Sequence, residues 1–157
     1  MYRCAEKHNG GHAGELEYAK EKKEGVKTAL YGTNNPKDSW LKTLEQLPKQ
    51  NKVHLLGVPS DNGGGILRGA NWGPLFIREG LQKKNITEYF DVGDIRVVPH
   101  LLHDSYLNEE TIGKVQTALY GEKNNLPVSP LSIAEAVVEK LLEEDKKVLS
   151  LGGDHSV

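Results

Sequence analysis

The sequence predicts an α/β domain built on a mostly parallel sheet. Three observations lead there. Over residues 52 to 157, short apolar runs and helical patterns follow one another as strand, helix, strand, helix, helix, strand. The last helical pattern has an apolar face too broad for a surface ornament, so it calls for a sheet to cover. The first run empties into a long glycine-rich loop, the arrangement found where open α/β sheets bind ligands. Strands separated by helices pair in parallel through right-handed crossovers.

Residues 1 to about 37 are polar and glycine-spotted, with the charge-dense stretch AKEKKEG. They lack a sustained apolar period, which predicts a loose extension. Asp38 is expected to cap a short helix bearing Trp40, Leu41, Leu44 and Leu47, stopped by Pro48. Residues 1–50 thus read as a polar extension with one short helix, ahead of a domain over 51–157. KVHLLGVPS, 52 to 60, predicts a buried strand. After the glycine-rich loop, Pro74 opens the helix PLFIREGLQKK, because a first-turn residue needs no backbone N–H. YFDVGDI, 89 to 95, is a second short strand, and VVPHLLHDSYL is a connection. NEETIGKVQTALYG predicts a helix with Asn108 as cap, Glu109 and Glu110 in its first turn and Gly121 as stop. In the last helix Ser132 and Glu135 have capping-box spacing. Ile133, Val137 and Leu141 repeat every four residues, and Ala134, Val138 and Leu142 widen that face. KVLSLGG comes next as a buried strand.

Composition excludes several function classes. The chain has 157 residues, 37% hydrophobic and 27% charged, enough for one modest domain with a real core. A net charge of −2 argues against a nucleic-acid or membrane-surface partner. No apolar run approaches bilayer length. The single cysteine, Cys4, cannot close an internal disulfide, and the N-terminus lacks an apolar leader core, so a cytoplasmic location is expected.

The loop GVPSDNGGGILRGANWGP lies between a strand and a helix, where phosphate loops occur. Gly64 and Gly69 have P-loop spacing, but Ala70 and Asn71 stand where Lys and Ser or Thr must come next. After Gly63 and Gly65 the next glycine comes one position late for a dinucleotide fingerprint. The plain alternative is a tight loop with Arg68 solvated or bonded to a carbonyl. In LSLGGDHSV the strand runs into Gly152 and Gly153, which admit a ligand or a neighbouring backbone. His155 then stands at the strand's carboxyl end, where a rigid imidazole suits a first-row metal. Asp154 could orient a neighbour or join the site itself, or Asp154 and Ser156 could simply cap a further helix. His100 and His103 form H-x-x-H in a connection rather than a helix, a nonspecific pattern. His8 and His12 belong to the extension, and His54 lies within a strand. Asp91 and Asp94 fit either turn or site-supporting roles.

Three stretches together resemble the ureohydrolase family of arginase, agmatinase and their relatives. They are GVPSDNGGGILRGANWGPLFIREGL, FDVGDI and LSLGGDHSV, in the family's order and spread over residues 52 to 157. The resemblance implies a three-layer α/β/α sandwich around a mostly parallel sheet. It implies two Mn²⁺ ions at the carboxyl ends of the strands and hydrolysis of a guanidinium substrate to urea and an amine. It implies a homo-oligomer, and it places a metal ligand at His155. G-G-D-H-S fits arginase and agmatinase better than formimidoylglutamase, and arginine is weakly favoured as substrate. The family's D-x-H-x-D and later D-x-D stretches do not occur in these 157 residues. The chain is therefore expected to be the N-terminal portion of a longer enzyme, cut after the G-G-D-H-S strand and inactive alone. The alternatives are an agmatinase or other amidinohydrolase, and a non-catalytic subunit with the same fold.

Overall fold

In a computed structural model, residues 13–32, 35–64, 69–122 and 124–157 are described. Cys4, His8, His12 and Arg68 lie outside the described residues. The strand expected over 52 to 60 is β1 (Val53–Val58), and all of it but Val53 is buried. It is the middle of a three-strand parallel sheet, flanked by β2 (Tyr89–Asp94) and β3 (Val148–Gly152) in the order β2-β1-β3.

Strand alternation gives β1 two different faces. His54, Leu56 and Val58 point one way, Leu55 and Gly57 the other. Leu56, Val58 and Ile95 form the core on the first side, covered by Ile133, Ala134, Val137 and Val138 of helix α5 (Pro130–Glu143). On the other side helix α3 (Gly73–Lys83) reaches Asp91, the register partner of Leu55. Helices thus flank the sheet on both faces. The chain leaves β1 toward β2 through α3. It returns to the far side of β1 through helix α4 (Glu109–Tyr120) and α5. Crossovers of one hand that step in opposite directions must run over opposite faces. Asn108 caps α4 and Gly121 ends it at φ 86°, as the sequence predicts.

Four expectations need correction. Residues 1 to 37 are not loose throughout, because Ala13–Tyr31 forms helix α1. Helix-favouring Glu and Lys are joined there by ion pairs such as Lys27–Glu24 at 2.8 Å. Tertiary contact supplies the apolar support that the sequence pattern lacks. Val26 is buried, Tyr18 stacks on Phe76 at 6.2 Å, and Glu79 of α3 holds Lys22 at 2.5 Å and Lys83 at 2.8 Å. The second correction concerns helix α2 (Pro36–Leu44), whose cap is Asn35 rather than Asp38. Asn35 accepts from the Asp38 N–H at 3.3 Å, and Pro36 fills the first turn. Third, Ser129, not Ser132, occupies the N-cap position of α5. The Ser132 hydroxyl instead accepts the Asp104 N–H at 3.0 Å, while the Asp104 carboxylate accepts the Ser129 N–H at 2.8 Å and its hydroxyl. These contacts tie the connection after β2 to the start of α5. Fourth, β3 is not fully buried. It is an edge strand among the described residues, with Leu151 buried and Leu149 51% exposed. No described helix is long and apolar enough to cross a membrane.

Candidate functional site

The strand order puts β1 and β3 side by side while the chain leaves β1 over the face opposite α5. In doubly wound sheets of this order, ligands bind in the crevice outside the carboxyl ends of those two strands. Two loops meet there, residues 59 to 64 after β1 and 153 to 157 after β3.

Backbone contact decides which residues fit. The Asp154 N–H donates to the Ser60 carbonyl at 2.9 Å, and Ser60 is fully buried. A Cβ on Gly153 would stand 1.9 Å from that same carbonyl oxygen, so only glycine lets the two loops touch. Gly73, at the start of α3, lies so close that a Cβ there would be 3.0 Å from the Gly152 carbonyl. For Gly153 the sequence left a ligand or a neighbouring backbone open, and the neighbour is the Ser60 backbone.

Asp154 organises the seam. Its carboxylate accepts the Gly63 N–H at 2.8 Å, the Ser156 N–H at 2.9 Å and the Ser156 hydroxyl. Burial alone would push the Asp154 carboxyl up. The bonds from Ser156 and from the Gly63 and Gly64 amides outweigh it and hold the group below the usual carboxylate value. Asp154 thus orients the loop, one of the roles open in the sequence. Asn62 fastens the rim to the connection after β2. Its amide donates to the Leu101 carbonyl at 2.6 Å and its oxygen accepts the His100 N–H at 3.4 Å. Asp61 accepts the Gly69 N–H at 3.1 Å, closing the glycine-rich loop on itself. His155 is exposed at the tip of the seam.

The remaining sequence candidates lie elsewhere. The His103 ring contacts the Ser105 hydroxyl at 2.8 Å and lies 3.6 Å from the Glu135 carboxylate. His100 sits in a turn at φ 70°. His54 is wholly buried in β1. Among the described residues no three His, Cys, Asp or Glu side chains gather as a metal-binding group.

Asp91 and Asp94 hold a structural arginine. Arg78, 4% exposed, donates from Nε to Asp91 at 2.7 Å, from Nη2 to Asp91 at 3.0 Å, and from Nη1 to Asp94 at 2.5 Å. Nη2 also reaches the Gly93 carbonyl at 3.1 Å. Burial works against this charge, but the hydrogen bonds and negative charges of Asp91 and Asp94 prevail and keep it protonated. Residues three apart in a regular strand face opposite ways. Here a register shift between Leu55 and Leu56, with Gly93 at φ 99°, brings both carboxylates to one guanidinium. Gly57 leaves room for them, because a Cβ there would meet Asp94 Oδ1 at 1.8 Å. Sequence reasoning missed Arg78. The available signal was its spacing of four from buried Pro74, which puts both on the sheet-facing side of α3.

Comparison with known proteins agrees with this architecture. Residues 51–157 match the arginase family. No curated protein and no solved structure matches the chain. The match takes in all three strands, the glycine-rich loop and the seam around Asp154 and His155, and on that ground the chain belongs to the arginase family, the ureohydrolases.

Proposed function

We propose that this chain forms the amino-terminal part of a manganese-dependent ureohydrolase site, with His155 as one metal ligand. The observation that carries the reading is the arginase-family match extending through residue 157, combined with the seating of His155 at the β1–β3 rim. The family is generally manganese-dependent. The residues present do not make a complete manganese site. His155 offers one exposed imidazole, and the Asp154 carboxylate already takes the Gly63 and Ser156 donors. Hard divalent ions of this kind prefer several oxygen ligands. On this reading the other ligands come from outside these 157 residues.

The roles assigned to the chain's own residues are positional. Gly152 and Gly153 clear the rim, Asp154 fixes the loop, and His155 presents a nitrogen from the turn that follows β3. The substrate class is a guanidinium compound cleaved to urea and an amine, with arginine as first candidate and agmatine as second. The test is urea release by the product of the intact reading frame, supplied with Mn²⁺ and each substrate, beside the same protein carrying His155→Ala. Loss of activity and of retained manganese in the variant supports the proposal, and full activity rejects it. A non-catalytic subunit is the rival reading. It predicts no urea from either protein under any metal.

A further inference from the structure

His54 is an odd residue for the centre of a sheet. It is fully buried, and neither ring nitrogen has a hydrogen-bond partner. A buried polar group without a partner is costly, and a charged one far more so. The ring packs against Phe90 of β2, with centroids 5.2 Å apart. The charge that acts on it comes from the turn before β3, where Lys146 lies. From β1 and its approach come the Lys52 carbonyl, from the β3 side the Lys147 carbonyl, and from the turn at 47–49 the Leu47 carbonyl. All three lie near enough to favour a charged ring, yet none bonds a ring nitrogen. Burial first, and Lys146 second, outweigh them and hold the imidazole below its ordinary value of 6.5.

The same lysine closes the base of the domain. The Lys146 ammonium donates to the Pro48 carbonyl at 2.8 Å and the Gln50 carbonyl at 3.2 Å. The His54 N–H donates to the Lys147 carbonyl at 2.7 Å. A proton on the ring would therefore place a buried positive charge beside the half-buried ammonium that clasps residues 48 to 50.

We propose that His54 is an acid-released latch, whose protonation beside Lys146 expels the ring from its seat against Phe90 and frees the 47–50 segment from the sheet. Linkage sets the sign. A base that is harder to protonate when packed than when released contributes its full stability above 6.5. That stability falls as the pH drops below 6.5 toward the lower packed-state value, because the released form gains the proton first. The latch sits at the amino ends of the strands, away from the rim that carries His155, and is independent of the metal-site reading.

Hydrogen exchange on the full chain tests it, with rates corrected for intrinsic pH dependence. The His54 and Gln50 amides should lose protection by up to roughly tenfold per pH unit below 6.5, the limit set by one proton. The Ile95 amide, bonded to the Gly57 carbonyl at the other end of β1, should not change. In His54→Leu and His54→Gln the dependence should vanish, and in Lys146→Met it should still begin at 6.5 but level off sooner, because the packed-state value rises toward 6.5. A flat wild-type profile, a slope that survives both His54 substitutions, or equal loss at Ile95 would overturn the latch. Should neither His54 variant fold, ring NMR of the wild type decides. Protonation must coincide with lost protection, and an imidazole that titrates while still packed refutes the proposal.

Discussion

Arg78→Ala removes the centre of the ion network while leaving its carboxylates behind. Asp91 is 6% exposed, and after the cut the Gly93 N–H at 2.9 Å is the hydrogen bond left to it among the described residues. Breaking a buried pair from one side costs about 3–5 kcal/mol, mostly for the stranded charge. Asp94 adds less, because its side chain is 26% exposed and water can take over. Domains of ordinary stability have about 5–15 kcal/mol in total, so the variant should lose a large share of it. Urea denaturation followed by circular dichroism, at fixed protein concentration, reads the effect. With a slope of about 1–3 kcal/mol per molar, the midpoint should fall by at least about 1 M. The double variant Arg78→Met with Asp91→Leu should recover most of the loss, since it strands no charge on Asp91. A single variant as stable as wild type, or a double variant no better than the single, would refute the assignment of Asp91 and Arg78 as one buried unit.

Gly153→Ala puts a methyl group onto the Ser60 carbonyl, and because backbone cannot rotate away, the seam should open and the Asp154 amide should exchange faster. Asp154 contributes to the seam at neutral pH, and that contribution should fade as the pH drops from the ordinary 3.8 through its lowered value. Gly63 amide protection against pH reports it, and Asp154→Asn should remove the dependence. Val26→Ala should cost about 1–2 kcal/mol if α1 is seated on α3, and almost nothing if it is not, again by denaturation. The β3 edge, unpaired among the described residues and carrying exposed Leu149, should drive self-association of the isolated chain, measurable by light scattering, and Leu149→Lys should suppress it.

The elements with their own local signals were legible. The apolar run of β1, the Pro74 start of α3, and the Asn108 and Gly121 ends of α4 each carry a physical reason within a few residues. Caps placed by spacing alone were misread, because Asn35 and Ser129 compete with Asp38 and Ser132 and tertiary contacts decide between them. Helix α1 has no clear apolar stripe, and what holds it is a surface on α3 that its own sequence does not announce. The site was legible as a motif around His155 but not as geometry. That Gly153 must touch Ser60, or that a bulge turns Asp91 and Asp94 toward one arginine, depends on strand register, and register belongs to the pair of strands rather than to either one.

Manganese content measures the main claim most directly. The intact reading-frame product, purified with Mn²⁺ and dialysed against metal-free buffer, should retain the ion. The His155→Ala form should retain less, with an unchanged circular dichroism spectrum. Equal manganese in the two proteins would contradict the place given to His155.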